Sequence, residues 1–187
     1  MKGVIFNLLE DFVSEGWGEE TYEAILAGCP LHTKEPFVGP ATYPDADLLA
    51  IVSKTTERLG ISVPEAVHSF GKYCFPRLAA KFPVFVQGHV HPKTFLKTID
   101  NVIHVEVRKL FRDAEPPRIT YTDPADDRLV LRYESKRRLC SLMTGLLEGA
   151  GEFFAVPIEY TQTQCMLQGA PACEFDLRFP SQAEGGA

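Results

Sequence analysis

Apolar positions repeat at helical spacing from the start of the chain. Val4, Ile5, Leu8, Leu9, Phe12 and Val13 form one broad face over residues 2–15, and Gly16-Trp17-Gly18 ends it. Glu19 to Ala27 predicts a second, shorter helix, and the turn-rich stretch from Cys29-Pro30 to Tyr43-Pro44 predicts a loop. Asp45 or Asp47 is placed to cap a helix that runs through Leu59 and stops at Gly60. Ser62-Val63-Pro64-Glu65 is a clear helix start, with a Ser cap, an early Pro and an acid three residues on. That helix carries Val67, Phe70, Gly71, Cys74, Phe75 and Leu78, with Pro76 as an interruption. Phe82 to Val90 is apolar without a period, and His91-Pro92 closes it. Lys93 to Phe111 then contains a helical run, Ile99–Phe111, whose stripe is Ile99, Ile103, Val107 and Leu110. Ile119-Thr120-Tyr121 and Leu129 to Tyr133 predict a hairpin across Asp123–Asp127. A helix over Leu139–Gly149 precedes a second hairpin, Ile158–Cys165 with Ala172–Phe179, around Gly169-Ala170-Pro171. Helices first, then strands interleaved with helices, is the order of an α+β fold with an antiparallel sheet.

Composition narrows the class. At 187 residues with 45% apolar content, the chain is one domain or two closely packed subdomains with ample core. A formal charge of −6 and a pI near 5.4 argue against nucleic acid, which needs a basic patch. No apolar run approaches membrane-spanning length, and Met1 leads into an amphipathic segment with Glu10 and Asp11. A cytoplasmic location without membrane contact is therefore the expectation. The five cysteines are then not a disulfide framework.

The candidate chemistry centres on Ile99–Arg137. His104 lies on the border of the apolar stripe and faces the interior. Read as a strand, Tyr133, Ser135 and Arg137 share one face over about 13 Å. Two hydroxyls and a guanidinium fork suit a pair of carboxylates, because Arg meets a carboxylate bidentately. An inward imidazole with a dicarboxylate cradle suggests haem, the imidazole on iron and the cradle on the propionates. Taken singly, each feature has a plainer reading: most inward histidines are hydrogen-bonded core residues, and most such strand triplets face water. Cys140, Cys165 and Cys173 form a second constellation, since a hairpin about Gly169 sets Cys165 and Cys173 across from each other. Three thiolates hold zinc if a fourth ligand is supplied; a redox-responsive pair or buried structural thiols are the alternatives. His89 and His91 share a strand spacing but have no third ligand near in sequence, and read as surface residues. No phosphate-binding glycine motif or nucleophile elbow is present, so the chain is not expected to be an enzyme.

Taken in order, Met1-Lys2-Gly3-Val4-Ile5-Phe6-Asn7, Val102-Ile103-His104, Pro116-Pro117, Tyr133-x-Ser135-x-Arg137 and Gly145-Leu146-Leu147-x-Gly149 resemble the haem nitric oxide/oxygen-binding (H-NOX) family. This sensor module is also found in soluble guanylate cyclase, and the resemblance covers nearly the whole chain. It implies the H-NOX fold over 1–181. A distal helical subdomain would span about 1–62 and a proximal subdomain with the sheet about 63–181, with a flexible tail at 182–187. It implies ferrous haem b, with His104 as the iron ligand, Tyr133, Ser135 and Arg137 on the propionates, and Pro117 pressing on the haem. The pocket walls would be Ile5, Leu9, Cys74, Leu142 and Leu146. Oxygen-binding members carry a tyrosine where this chain has Leu142, which implies nitric oxide and carbon monoxide as ligands rather than stable oxygen. Nitric oxide weakens the bond opposite it, so release of His104 would be the signal. The partner would be a separate signalling protein, a histidine kinase or a diguanylate cyclase or phosphodiesterase. Some members complete a zinc site at the three cysteines with a histidine, whose place here holds Gln162. Two rival readings are an oxygen-binding haem protein and a haem-free module. The second rests on Cys165-x7-Cys173-Glu174-Phe175, which resembles the end of V4R ligand-binding domains.

Overall fold

A computed structural model describes residues 1–33 and 36–180; the tail expected at 182–187 lies outside the described residues. Two helices open the chain, α1 (Gly3–Trp17) and α2 (Glu19–Ala27), and after a loop come α3 (Asp45–Leu59) and α4 (Val63–Lys81). Short α5 (Pro92–Leu96) leads to a π-helical turn, Ile99–Ile103, and to α6 (His104–Leu110). Strands β1 (Arg118–Ala125) and β2 (Arg128–Glu134) precede α7 (Cys140–Phe153), and β3 (Glu159–Gln164) and β4 (Cys173–Arg178) close the fold. The four strands form one antiparallel sheet in the order β1-β2-β4-β3. None of the described helices is long and apolar enough to cross a membrane.

Two hydrophobic cores result. The N-terminal one gathers Phe6, Leu9, Val13, Ile25, Ile51 and Phe70 from α1 to α4. The C-terminal one forms where the period-two faces of the central strands, Leu129, Leu131 and Tyr133 of β2 with Cys173, Phe175 and Leu177 of β4, meet Met143 and Leu147 of α7. Helix α4 joins the two, giving Phe70 and Cys74 to the first core and Phe75 and Ala79 to the second.

The joint depends on small residues. α4 continues to Lys81 through Pro76, and its start is capped as the motif predicts, Ser62 Oγ accepting from the Glu65 N–H. Pro76 has no N–H for the Lys72 carbonyl four residues back. That carbonyl faces α7 at Gly149, where a β-carbon would stand 2.7 Å from it. At Gly145 a β-carbon would collide with the His68 carbonyl. Polar groups bracket the crossing. His68 Nδ1 meets Thr144 Oγ1 at 2.9 Å and its Nε2 meets Glu148 at 2.7 Å, while Lys72 reaches Glu148 and Glu152.

The capping role given to Asp45 or Asp47 is corrected: both lie inside α3, and no side chain caps its start. Asp47 is fully buried and turns back to take the N–H groups of His32 and Thr33, pinning the 29–44 loop to α3. Asp45 faces the C-terminal half instead.

Candidate functional site

His104 comes directly after the π-helical turn. In that turn the Ile103 N–H reaches the Thr98 carbonyl, and the His104 N–H reaches that of Ile99, each five residues back. The wider turn adds a residue and rotates all later positions about the axis. The stripe drawn at regular spacing therefore breaks. Ile99 and Ile103 pack on the C-terminal core, but Leu110 is 64% exposed. His104 stays mostly buried, its Nδ1 3.4 Å from Asp100 Oδ1. The same carboxylate oxygen accepts the Ile119 N–H at 3.2 Å, tying the His104 turn to β1. Burial pushes the imidazole below its usual value, outweighing the upward pull of Asp100. A neutral imidazole oriented through Nδ1 by a carboxylate is in the form that ligates metal through Nε2. Asp100 was missed in the sequence, although it stands four residues before His104, the spacing at which helical side chains meet.

The strand-face placement of Tyr133, Ser135 and Arg137 is corrected. β2 ends at Glu134, and residues 135–138 form a turn closed by the Arg138 N–H on the Ser135 carbonyl. Tyr133 points into the C-terminal core, 5% exposed. The turn, not a shared face, brings the three together. Ser135 Oγ accepts the Arg137 N–H at 3.2 Å, and the Tyr133 hydroxyl meets the Ser135 side chain and the Leu139 N–H. Arg137 crosses to the N-terminal half, where Nε donates to Asp45 Oδ2 at 2.7 Å, while Nη1 donates to the Glu115 carbonyl at 2.7 Å. The Met1 amine donates to the other Asp45 oxygen. Burial works to raise the Asp45 carboxyl, but these two cations prevail and hold it below the ordinary range. A second tie joins the halves, with Lys2 paired to Asp113 at 2.5 Å and resting over the Phe111 ring.

The wall residues named from the sequence all belong to the N-terminal core. Leu9 and Cys74 are buried within it, while Ile5, Leu142 and Leu146 pack against it with apolar surface still uncovered; Leu146 also packs on the C-terminal core. Burial drives the Cys74 thiol up, so it stays protonated. Tyr73 lies on another face of α4, its ring against Phe12 and beneath the Arg77 guanidinium, whose Nη2 holds Glu15 of α1. A neutral imidazole, aliphatic side chains left half-covered between two cores, and a rim of hydroxyls and a guanidinium fit haem.

The three cysteines do converge, their sulfurs within 4.8 Å of one another and Cys140 2.8 Å from Cys173. Burial, and then Cys173, push the Cys140 thiol up to about 12. Burial also works to raise Cys165, but the Leu167 and Gln168 N–H groups and the neighbouring thiols outweigh it, and the net shift is downward. Among the described residues no fourth His, Cys, Asp or Glu joins them. Gln162 is exposed and donates its amide to the Gln164 carbonyl. His89 and His91 turn to separate partners. His91 caps α5 through the Lys93 N–H, and His89 contacts Thr94.

A fold of this kind, with an inward histidine on one half and an aliphatic wall on the other, is that of a haem-based gas-sensing domain. The sequence model of the haem-NO-binding family matches residues 2–162, and the chain belongs to this H-NOX family. Among solved structures it resembles an H-NOX protein from S. oneidensis in the Fe(II)NO state, 31% identical, with a TM-score of 0.91 over 97% of this chain and all of that one. The unliganded Fe(II) H-NOX protein from K. algicida, 22% identical with a TM-score of 0.87 over the whole of both chains, shares the fold. The chain is also 27% identical over 166 residues to soluble guanylate cyclase 89Db of Drosophila melanogaster, covering 83% of this chain and 24% of the fly protein.

Proposed function

We propose that this chain is a nitric oxide sensor built on ferrous haem b, held by His104 and clamped by Tyr133, Ser135 and Arg137. It would also bind carbon monoxide, exclude stable oxygen, and pass its signal to a separate protein, a histidine kinase or a cyclic-di-GMP enzyme. When bound, the haem supplies a ferrous iron that takes a diatomic gas. The observation that carries the reading is the aliphatic flank, Ile5, Leu9, Leu142 and Leu146, set in a fold whose other half offers a neutral, carboxylate-oriented His104. Bound oxygen takes on negative charge and profits from a nearby donor, which Leu142 does not offer; nitric oxide gains little from one. The S. oneidensis relative, known in an Fe(II)NO state, supports the choice of ligand.

The chain's own part in signalling is its tethers. His104 fastens α6 at the site, Asp100 fastens the same turn to β1, and the Arg137–Asp45 and Lys2–Asp113 pairs fasten the N-terminal helices to the C-terminal half. Were His104 released, α6 would be held by the Asp100 tie alone and the halves by the ion pairs that cross between them, a two-state element that a ligand could bias. Pro117, rigid in φ, would press on the haem until that release. For Cys140, Cys165 and Cys173 the geometry favours a thiol cluster over closed four-coordinate zinc, because Gln162 turns to its own strand. The visible spectrum tests the reading. The reduced protein should show a Soret band that nitric oxide and carbon monoxide shift and air does not. A lasting oxygenated spectrum would refute the ligand choice, and no Soret band at all would refute haem.

A further inference from the structure

Beside the Ser135–Arg138 turn lies an open cleft of about 670 Å³, walled by the start of β1 at Arg118, by the turn itself and by Met166 and Pro171. It gathers Arg118, Lys136, Arg137 and Arg138 on a chain whose formal charge is −6. The chain does not neutralise this charge from within. Arg118 stands opposite Glu134 across the β1–β2 pair, yet Glu134 takes Arg132 of its own strand at 2.9 Å. Glu115 faces Lys136 at 3.5 Å, and Arg137 is committed to Asp45 and the Glu115 carbonyl. The guanidiniums of Arg118 and Arg138 are left with no hydrogen bond or ion pair among the described residues. Arg138 is also held at a φ of 51°, in the left-handed region that side-chain-bearing residues rarely adopt. That backbone lets two consecutive arginines part, Arg137 toward Asp45 and Arg138 along the cleft. Pro116, Met166 and Pro171 add apolar surface next to the free cations.

We infer that this cleft is a docking surface for an acidic segment of the separate signalling protein, with carboxylates on Arg118 and Arg138 and an apolar side chain against Met166 and Pro171. The inference rests on the reading that this chain signals to another protein. Charge complementarity selects the occupant. Each unpaired guanidinium presents a planar fork that meets a carboxylate bidentately, and opposite charge across an interface steers encounter and fixes register. The volume suits a short length of chain rather than a lone ion. Position ties the surface to the sensor. Arg137, on the cleft wall, is the side chain that crosses to Asp45, so relative movement of the two halves reshapes the cleft.

The probe is a fluorescein-labelled peptide, Gly-Glu-Glu-Leu-Glu-Glu-Gly, titrated with the purified chain at physiological ionic strength, where diffuse attraction is screened. Fluorescence anisotropy reads affinity, and amide shifts of the isotope-labelled protein read location. The peptide should move the amides around Arg118 and across the Ser135–Arg138 turn. Arg118→Gln and Arg138→Asn should each weaken binding about tenfold. Asn tolerates the left-handed backbone, so an unchanged melting temperature in Arg138→Asn shows that the turn survives. Lys54→Gln, which removes the same charge from α3, should leave affinity unchanged. Equal loss in Lys54→Gln, amide shifts elsewhere, or full displacement by millimolar inorganic phosphate would overturn the docking surface. So would self-association of the parent that Arg138→Asn abolishes, since that gives the cleft to a second copy. Neither readout needs haem. Peptide capture without a Soret band overturns haem sensing alone, and a Soret band without peptide capture overturns the docking surface alone.

Discussion

At the scale of single residues, the site depends on a few buried polar partners. His104→Gly should abolish tight haem retention, restored by free imidazole; an unchanged five-coordinate ferrous spectrum without imidazole would remove His104 as the ligand. Leu142→Tyr introduces a hydroxyl onto an aliphatic wall and should create measurable oxygen affinity in the ferrous protein, read as an oxygenated band in air. Arg137→Ala should weaken haem retention more than Ser135→Ala, because the arginine bonds are charge-assisted and the same side chain ties Asp45; equal retention would place both residues outside the clamp. Asp47 serves stability rather than the site. Burial works to raise its carboxyl, but the His32 and Thr33 N–H groups prevail and hold it below the ordinary carboxylate range. Such a carboxylate contributes stability that is fully present above its unfolded value and is lost as pH falls through the lower folded value. Asp47→Asn should therefore cost about 2 kcal/mol at pH 7, and denaturation curves of parent and variant should converge only below about pH 4.

At the scale of elements, the α4–α7 crossing is the joint between the two cores. Gly145 meets the His68 backbone so closely that Gly145→Ala must push the helices apart. It should cost about 2–3 kcal/mol and lower the melting temperature by roughly 5–10 °C, whereas alanine at the open Gly16 should do neither. The contrast separates the close approach from helix propensity, which favours alanine at both places. The π-helical turn before His104 is the second decisive element. It points His104 inward beside Asp100 while turning Leu110 out to solvent.

At the scale of the whole molecule, two cores share one bridging helix, and ion pairs cross between them at the rim. A domain so divided can answer a local event with relative movement of its halves. If release of His104 is the trigger, nitric oxide should switch the partner's activity strongly and carbon monoxide weakly, in step with spectra that report whether the histidine bond survives. Equal switching by both gases, with the histidine bond broken by nitric oxide alone, would disconnect the bond from the signal.

Much of this was legible from one sequence, for local physical reasons. Helical periodicity marked α1 and α4, the capped start at Ser62 held to the residue, and turn residues between β-prone runs located both hairpins, because caps, turns and a helix's buried face are written into nearby positions. Hairpin symmetry set Cys165 across from Cys173; that Cys140 of α7 lies 2.8 Å from Cys173 was decided by the packing of α7 on the sheet. The tertiary structure decided the features that depend on distant partners. Asp45 looked like a helix cap and became the counter-ion of Arg137, 92 positions away. Ser135 and Arg137 joined Tyr133 through a turn rather than a strand face, since strand length is set by pairing and β2 has no partner on β1 or β4 beyond Glu134. The π-helical turn left no mark in the periodicity, because its extra residue only rotates the positions after it.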